Sequence, residues 1–201
     1  MARIEPLTSD RLPLEMSDAL KAMRPPKPRY DLTSEGRPKG LNILGTLAHH
    51  PALARAFCTL NGHLLRATTL TERQRELVIM RVAVVHRSSY EWAQHILMAR
   101  DAGITDLEIA CIARGPDCPS WNDVDASLVR AVDELSEIGA ITDETLSVLS
   151  ARLTAQQILD VIFTTGAYTT VAWMVESLGI ALDDDLGDGS ESPPIPPRDI
   201  R

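Results

Sequence analysis

The ten residues ELVIMRVAVV, 76–85, limit what this chain can fold into more than any other segment. They are apolar almost all round, and a helix without a polar face belongs in the middle of a bundle. Glu76 and Arg81 are the exceptions. A charge on a buried helix is costly unless it is paired, so each needs a partner. Five residues apart, they do not share a face, and different partners are expected for them. The next helix sets Ser88, Glu91 and His95 along one side, because offsets of three, four and seven residues bring helical side chains over one another. Most of the polar groups able to do chemistry lie in this hairpin, 71–103.

The rest of the chain also reads as helix. Thr71…Gln74, Thr105…Glu108 and Thr154…Gln157 are capping boxes, in which a hydroxyl and a carboxyl or amide three residues on satisfy free amides. Pro51 fits a first-turn position, and Gly103 suits the left-handed residue that ends a helix. Further helices fit 121–138, 142–151 and 155–179. Aromatic residues are only 4 % of the chain, a balance that favours helices over a β-sandwich. No sustained period-2 alternation and no Asn-Gly or Asp-Gly hairpin between apolar runs marks a strand.

The fold expected is therefore all-α, one helical bundle of about seven to nine helices over 39–182. Residues 1–38, Pro-rich and charged, read as an extended N-terminal arm with at most one short helix near 15–23. The acidic, Pro-rich stretch 183–201 reads as a disordered tail.

Charge and motifs exclude several classes. The net charge is −8 and no Lys/Arg cluster stands out, so no nucleic-acid partner is expected. The N-terminus lacks the apolar core of a signal peptide, and no run approaches the ~20 uninterrupted apolar residues of a membrane span. The expectation is a cytoplasmic protein with no membrane partner. Three cysteines, Cys58, Cys111 and Cys118, form no C-x-x-C and leave an odd count, so reduced thiols are expected rather than a disulfide framework. His49, His50 and His63 have no tight ligand spacing. Glu91 and His95 supply two ligands where a catalytic zinc wants three, so no metal is expected. No glycine-rich phosphate loop is present, and no cofactor is indicated. Two broadly apolar helices and the Pro-rich arm need covering, which points to a homo-oligomer.

The segment RELVIMRVAVVHRSSYEWAQHILMARDAGITDLEIA resembles the carboxymuconolactone decarboxylase superfamily, which includes the alkylhydroperoxidase D-like proteins. The resemblance is strongest over 71–114 and extends loosely over 41–182, taking in Tyr168. Hydroperoxidase members carry a glutamate, a C-x-x-C twelve residues on, and a histidine four residues after the second cysteine. On this chain those positions are Glu76, Ser88, Glu91 and His95. Ser88 and Glu91 can neither attack a peroxide nor resolve a sulfenic acid, so a peroxidase is disfavoured. The decarboxylase branch resembles this chain in the Glu91-x-x-x-His95 pair and the following Ala99…Gly103-Ile104-Thr105 run.

That resemblance implies a cofactor-free acid–base lyase, a decarboxylase of a lactone acid or β-keto acid type of small molecule acting through an enolate, or a related isomerase, with a carboxylated or enolisable substrate. It also implies a dimer, trimer or hexamer. In this reading His95 moves the proton, Glu91 orients it, and Glu76 is a second acid/base or positioning group. Arg81 or a neighbouring arginine would hold a substrate carboxylate, while Ser88, Tyr90 and Tyr168 would line the substrate site. Each has a plainer alternative. Glu91 and His95 could be an exposed helical pair, Glu76 and Arg81 structural ion-pair partners, Ser88 a helix cap, and the tyrosines core residues. The alternative function is a non-catalytic ligand-binding or stress-associated helical oligomer.

Overall fold

A computed structural model describes residues 2–30 and 39–186. Among them are nine α-helices, two short 3-10 turns and no strand. The helices are α1 (Glu15–Ala22), α2 (Leu41–Leu47), α3 (Pro51–Arg66), α4 (Glu72–His86), α5 (Ser89–Asp101), α6 (Asp106–Arg114), α7 (Asp123–Glu137), α8 (Asp143–Ser150) and α9 (Ala155–Leu178). All three capping boxes form. At α4, for example, Gln74 N–H donates to Thr71 Oγ1 at 3.2 Å while Thr71 N–H donates to Gln74 Oε1 at 3.0 Å. Beyond α5, Gly103 takes a φ of 80°, and Ile104 N–H turns back to the Ala99 carbonyl at 2.9 Å.

The chain divides into two compact units. Of the described residues, the first takes 2–30, 39–68 and 174–186. Here α1 packs on α3, burying Met16 and Ala19 with Ala54 and Cys58. The approach is close: a Cβ on Gly62 would lie 2.6 Å from the Met23 carbonyl oxygen, so only glycine fits there. Residues 183–186 are ordered on this unit rather than loose. Asp183 accepts from Asn42 N–H at 2.7 Å, and a 3-10 turn, Asp184–Leu186, follows. A short acidic run becomes structured when its carboxylates satisfy the free amides at the start of a helix. The remainder of the expected disordered tail, 187–201, and residues 31–38 of the arm lie outside the described residues.

Of the described residues, the second unit takes 69–173. Its centre is α4, which is buried continuously from Arg75 to Val84 and packs against α5, α6 and α7. On α9 within this unit, Val161, Tyr168 and Ala172 are buried, while Leu159, Phe163 and Trp173 stand exposed on one face. By length and composition α9 could cross a bilayer, but half of its most apolar stretch is buried inside the protein. A core helix is apolar for the same reason a spanning one is.

One expectation about cysteine is corrected. Cys111 and Cys118 form a disulfide with Cα atoms 5.5 Å apart, and Cys58 alone is a free, buried thiol. The reason is local: α6 ends at Gly115, whose φ is 113°, and the chain doubles back. Trp121 then closes the loop, with its indole N–H on the Gly115 carbonyl at 3.0 Å. A count of three cysteines cannot reveal such a turn. A bond closing so short a loop contributes roughly 2–3 kcal/mol. The Cys111→Ser/Cys118→Ser variant is expected to lower the urea midpoint accordingly, and an unchanged midpoint would show that the loop holds without the bond.

An ion-pair network ties α4 to α6 and α7. Arg73 donates to Glu108 at 2.5 Å and to Asp125 at 2.9 Å. The hydrogen bond from Arg73 is the main cause holding the Glu108 carboxyl down to about 2. A carboxylate held low in the folded state adds stability that is full above its ordinary value, near 4.5, and is lost as the pH falls towards about 2. Thermal melts across that window should therefore fall more steeply for wild type than for Glu108→Gln.

Candidate active site

The turn between α4 and α5 builds the site. Arg87 takes a left-handed φ of 55°, the one non-glycine among the described residues to do so. This closes α4, with Ser88 N–H returning to the Ala83 carbonyl at 2.9 Å, and α5 starts at once. Two helices joined by so short a turn run back along each other. Glu76 on α4 thereby meets His95 on α5, nineteen residues later, and Glu76 Oε2 lies 2.8 Å from His95 Nδ1.

The pair is enclosed unequally. The Glu76 side chain is wholly buried, while 9 % of the His95 side chain remains exposed. Burial alone would push the Glu76 carboxyl up, but the contacts with His95 and Arg75 outweigh it and hold it below its usual value. An ionised carboxylate only accepts hydrogen bonds, so Nδ1 carries the hydrogen and Nε2 is left to exchange protons. Tyr168 of α9 stands edge-on to the His95 ring, with ring centres 5.0 Å apart. Burial, reinforced by the Glu76 charge, keeps its phenol well above the ordinary value. It therefore remains a donor at neutral pH.

The expected site residues are partly regrouped. The carboxylate that contacts His95 Nδ1 is Glu76, across the hairpin, not Glu91 one turn away on the same helix. Glu91 lies in the first turn of α5, 2 % exposed, and its charge acts on Tyr168. It is not the exposed member of a surface pair. Ser88 is the helix cap: its hydroxyl accepts from Glu91 N–H at 3.5 Å. Tyr90 is buried, at 1 %.

Arg81 belongs to a different constellation. It grips the Asp133 carboxylate with two hydrogen bonds of 2.7 Å and donates to the carbonyls of Ile112 and Ala113 at 2.7 and 3.2 Å. Those contacts tie α4 to α6 and α7, and they occupy the fork expected to hold a substrate carboxylate. Sequence reasoning missed Arg75. Its Nε donates to Glu76 Oε1 at 2.8 Å, and its side chain is 1 % exposed. The signal available was an arginine directly before the one carboxylate of an apolar helix. Among the described residues no three His, Cys, Asp or Glu side chains are grouped as a metal site would require.

A buried Glu–His pair thus lies across the α4–α5 hairpin of an all-helical protein. Residues 51–134 match the carboxymuconolactone decarboxylase family. That match spans less than half of the chain, whose fold is similar to that of alkylhydroperoxidase D-like proteins. Its fold is similar to that of an uncharacterized peroxidase-related protein from Silicibacter sp. TM1040, at 14 % identity and a TM-score of 0.72, covering 93 % of this chain and 94 % of that one. It is also similar to an alkylhydroperoxidase AhpD core protein from Ralstonia eutropha JMP134, at 18 % identity and a TM-score of 0.65, covering 81 % and 95 %. The debrominase Bmp8 matches at 13 % identity and a TM-score of 0.67, covering 91 % and 93 %. At such identities the likeness is one of fold. No curated protein matches the sequence.

Proposed function

We propose that this protein is a cofactor-free acid–base lyase that decarboxylates a lactone acid or β-keto acid type of small molecule through an enolate. The observation that carries the reading is the Glu76–His95 pair, with the carboxylate wholly buried and 9 % of the histidine side chain exposed. Breaking the bond to the departing CO2 leaves its electron pair on the substrate as an enolate. The bare Nε2 of His95 first takes up a proton from water, delivers it to carbon and is bare again, while Glu76 holds the ring through Nδ1–H and faces the transient imidazolium. The Tyr168 hydroxyl, kept protonated beside that ring, donates to the enolate oxygen.

The peroxidase reading is disfavoured on the same geometry. The motif thiol positions hold Ser88, a helix cap, and Glu91. The cysteine pair present spans α6 and the loop after it. The exposed Leu159, Phe163 and Trp173 on α9 favour a homo-oligomer, which sedimentation velocity reads directly. The activity is tested by CO2 release and solvent-deuterium incorporation over a panel of lactone acids and β-keto acids. Turnover supports a lyase. Saturable binding across the panel without release or exchange would make the protein a binding module.

A further inference from the structure

Arg75 is a guanidinium buried to 1 % on the central helix, and the acid–base reading gives it no step. Its position is nevertheless specific. Glu76 has two oxygens, and the two buried neighbours divide them: Arg75 Nε donates to Oε1 and His95 Nδ1 approaches Oε2, each at 2.8 Å. We propose that Arg75 is a positioning residue that keeps Glu76 an anion facing His95, so that His95 holds its hydrogen on Nδ1 and presents a bare Nε2. The proposal rests on the acid–base reading for its use, but not for its test.

Charge balance among buried groups favours this arrangement. With Arg75 present, Arg75 and Glu76 neutralise each other, and a neutral imidazole beside them adds no net buried charge. Remove the guanidinium and Glu76 becomes an isolated buried anion, which takes up a proton or forces one onto its neighbour. The other groups facing this pair do not substitute for Arg75. Glu72, on α4, stands 3.8 Å from Arg75 and is itself an anion, about half exposed. Glu91, on α5, is another carboxylate, and Tyr168, on α9, is held protonated. Arg75 is thus the cation that touches Glu76 apart from any charge His95 acquires.

The test is 15N and 13C NMR of the full-length protein without substrate, over the pH range of histidine titration. In wild type, neutral His95 should show a protonated Nδ1 and an unprotonated Nε2, with the Glu76 carboxyl carbon in its ionised position. Finding the hydrogen on Nε2, or Glu76 protonated, overturns the proposal with no variant needed. In Arg75→Met, checked for fold by circular dichroism, the His95 midpoint should rise by about one to three pH units. Arg75→Lys, which keeps a point charge, should restore much of the wild-type midpoint. A folded Arg75→Met with an unmoved midpoint and the wild-type tautomer would make Arg75 a packing residue. Because none of these readouts needs turnover, a protein that proves not to be a lyase can still pass or fail them.

Discussion

His95→Ala is expected to lower turnover by ~10²–10⁴-fold, the usual worth of a positioned proton donor. It should do so with little loss of stability. Removal of His95 leaves Glu76 still bonded to Arg75. Glu76→Gln should also cost activity, for a different reason. A glutamine can donate as well as accept, so Nδ1–H is no longer enforced and part of the population carries its hydrogen on Nε2. Glu91→Gln should be milder, since the hydrogen bond to Nδ1 comes from Glu76. Steady-state rates on the responsive substrate, with melting temperatures alongside, decide the ranking. Equal losses in Glu76→Gln and Glu91→Gln would return Glu91 to the orienting role that the family resemblance implied.

The largest stability effect should come from Arg81→Met. This change strands the Asp133 carboxylate and leaves the Ile112 and Ala113 carbonyls without their donor. Breaking one side of a buried ion pair costs about 3–5 kcal/mol. The Asp133 side chain is 19 % exposed, which places the effect toward the lower end. The expected result is a marked fall in the denaturation midpoint, with KM for the folded fraction unchanged. A raised KM at unchanged stability would restore Arg81 as a substrate anchor. Asp133→Asn serves as the control, because it removes the partner without touching α4.

The Glu76–His95 and Arg81–Asp133 pairs show how much was legible. That two charges in ELVIMRVAVV must have partners, and different ones, follows from burial of an apolar helix and from helix periodicity. Which partners they take does not, because those lie nineteen and fifty-two residues away. At i,i+4 spacing Glu91 was the obvious neighbour for His95. A helix pair offers a second neighbour across the hairpin, and only packing chooses between them. The disulfide escaped for a related reason: Cys111 and Cys118 meet through a reversal at Gly115, a conformation that spacing does not encode.

What the chain determines by itself is local: helices from apolar periodicity, their starts from Thr-led capping boxes, the stop at Gly103, and the need to compensate Glu76 and Arg81. These depend on residues within a turn or two of one another, where bond geometry leaves few choices. The tertiary structure alone decided that Arg75 and His95 share Glu76, that Tyr168 stands over the histidine ring, and that Arg81 serves α6 and α7. Those outcomes depend on how separate helices interdigitate. Many sequence-compatible pairings compete there, and the winner is the one that leaves the fewest buried polar groups unmatched.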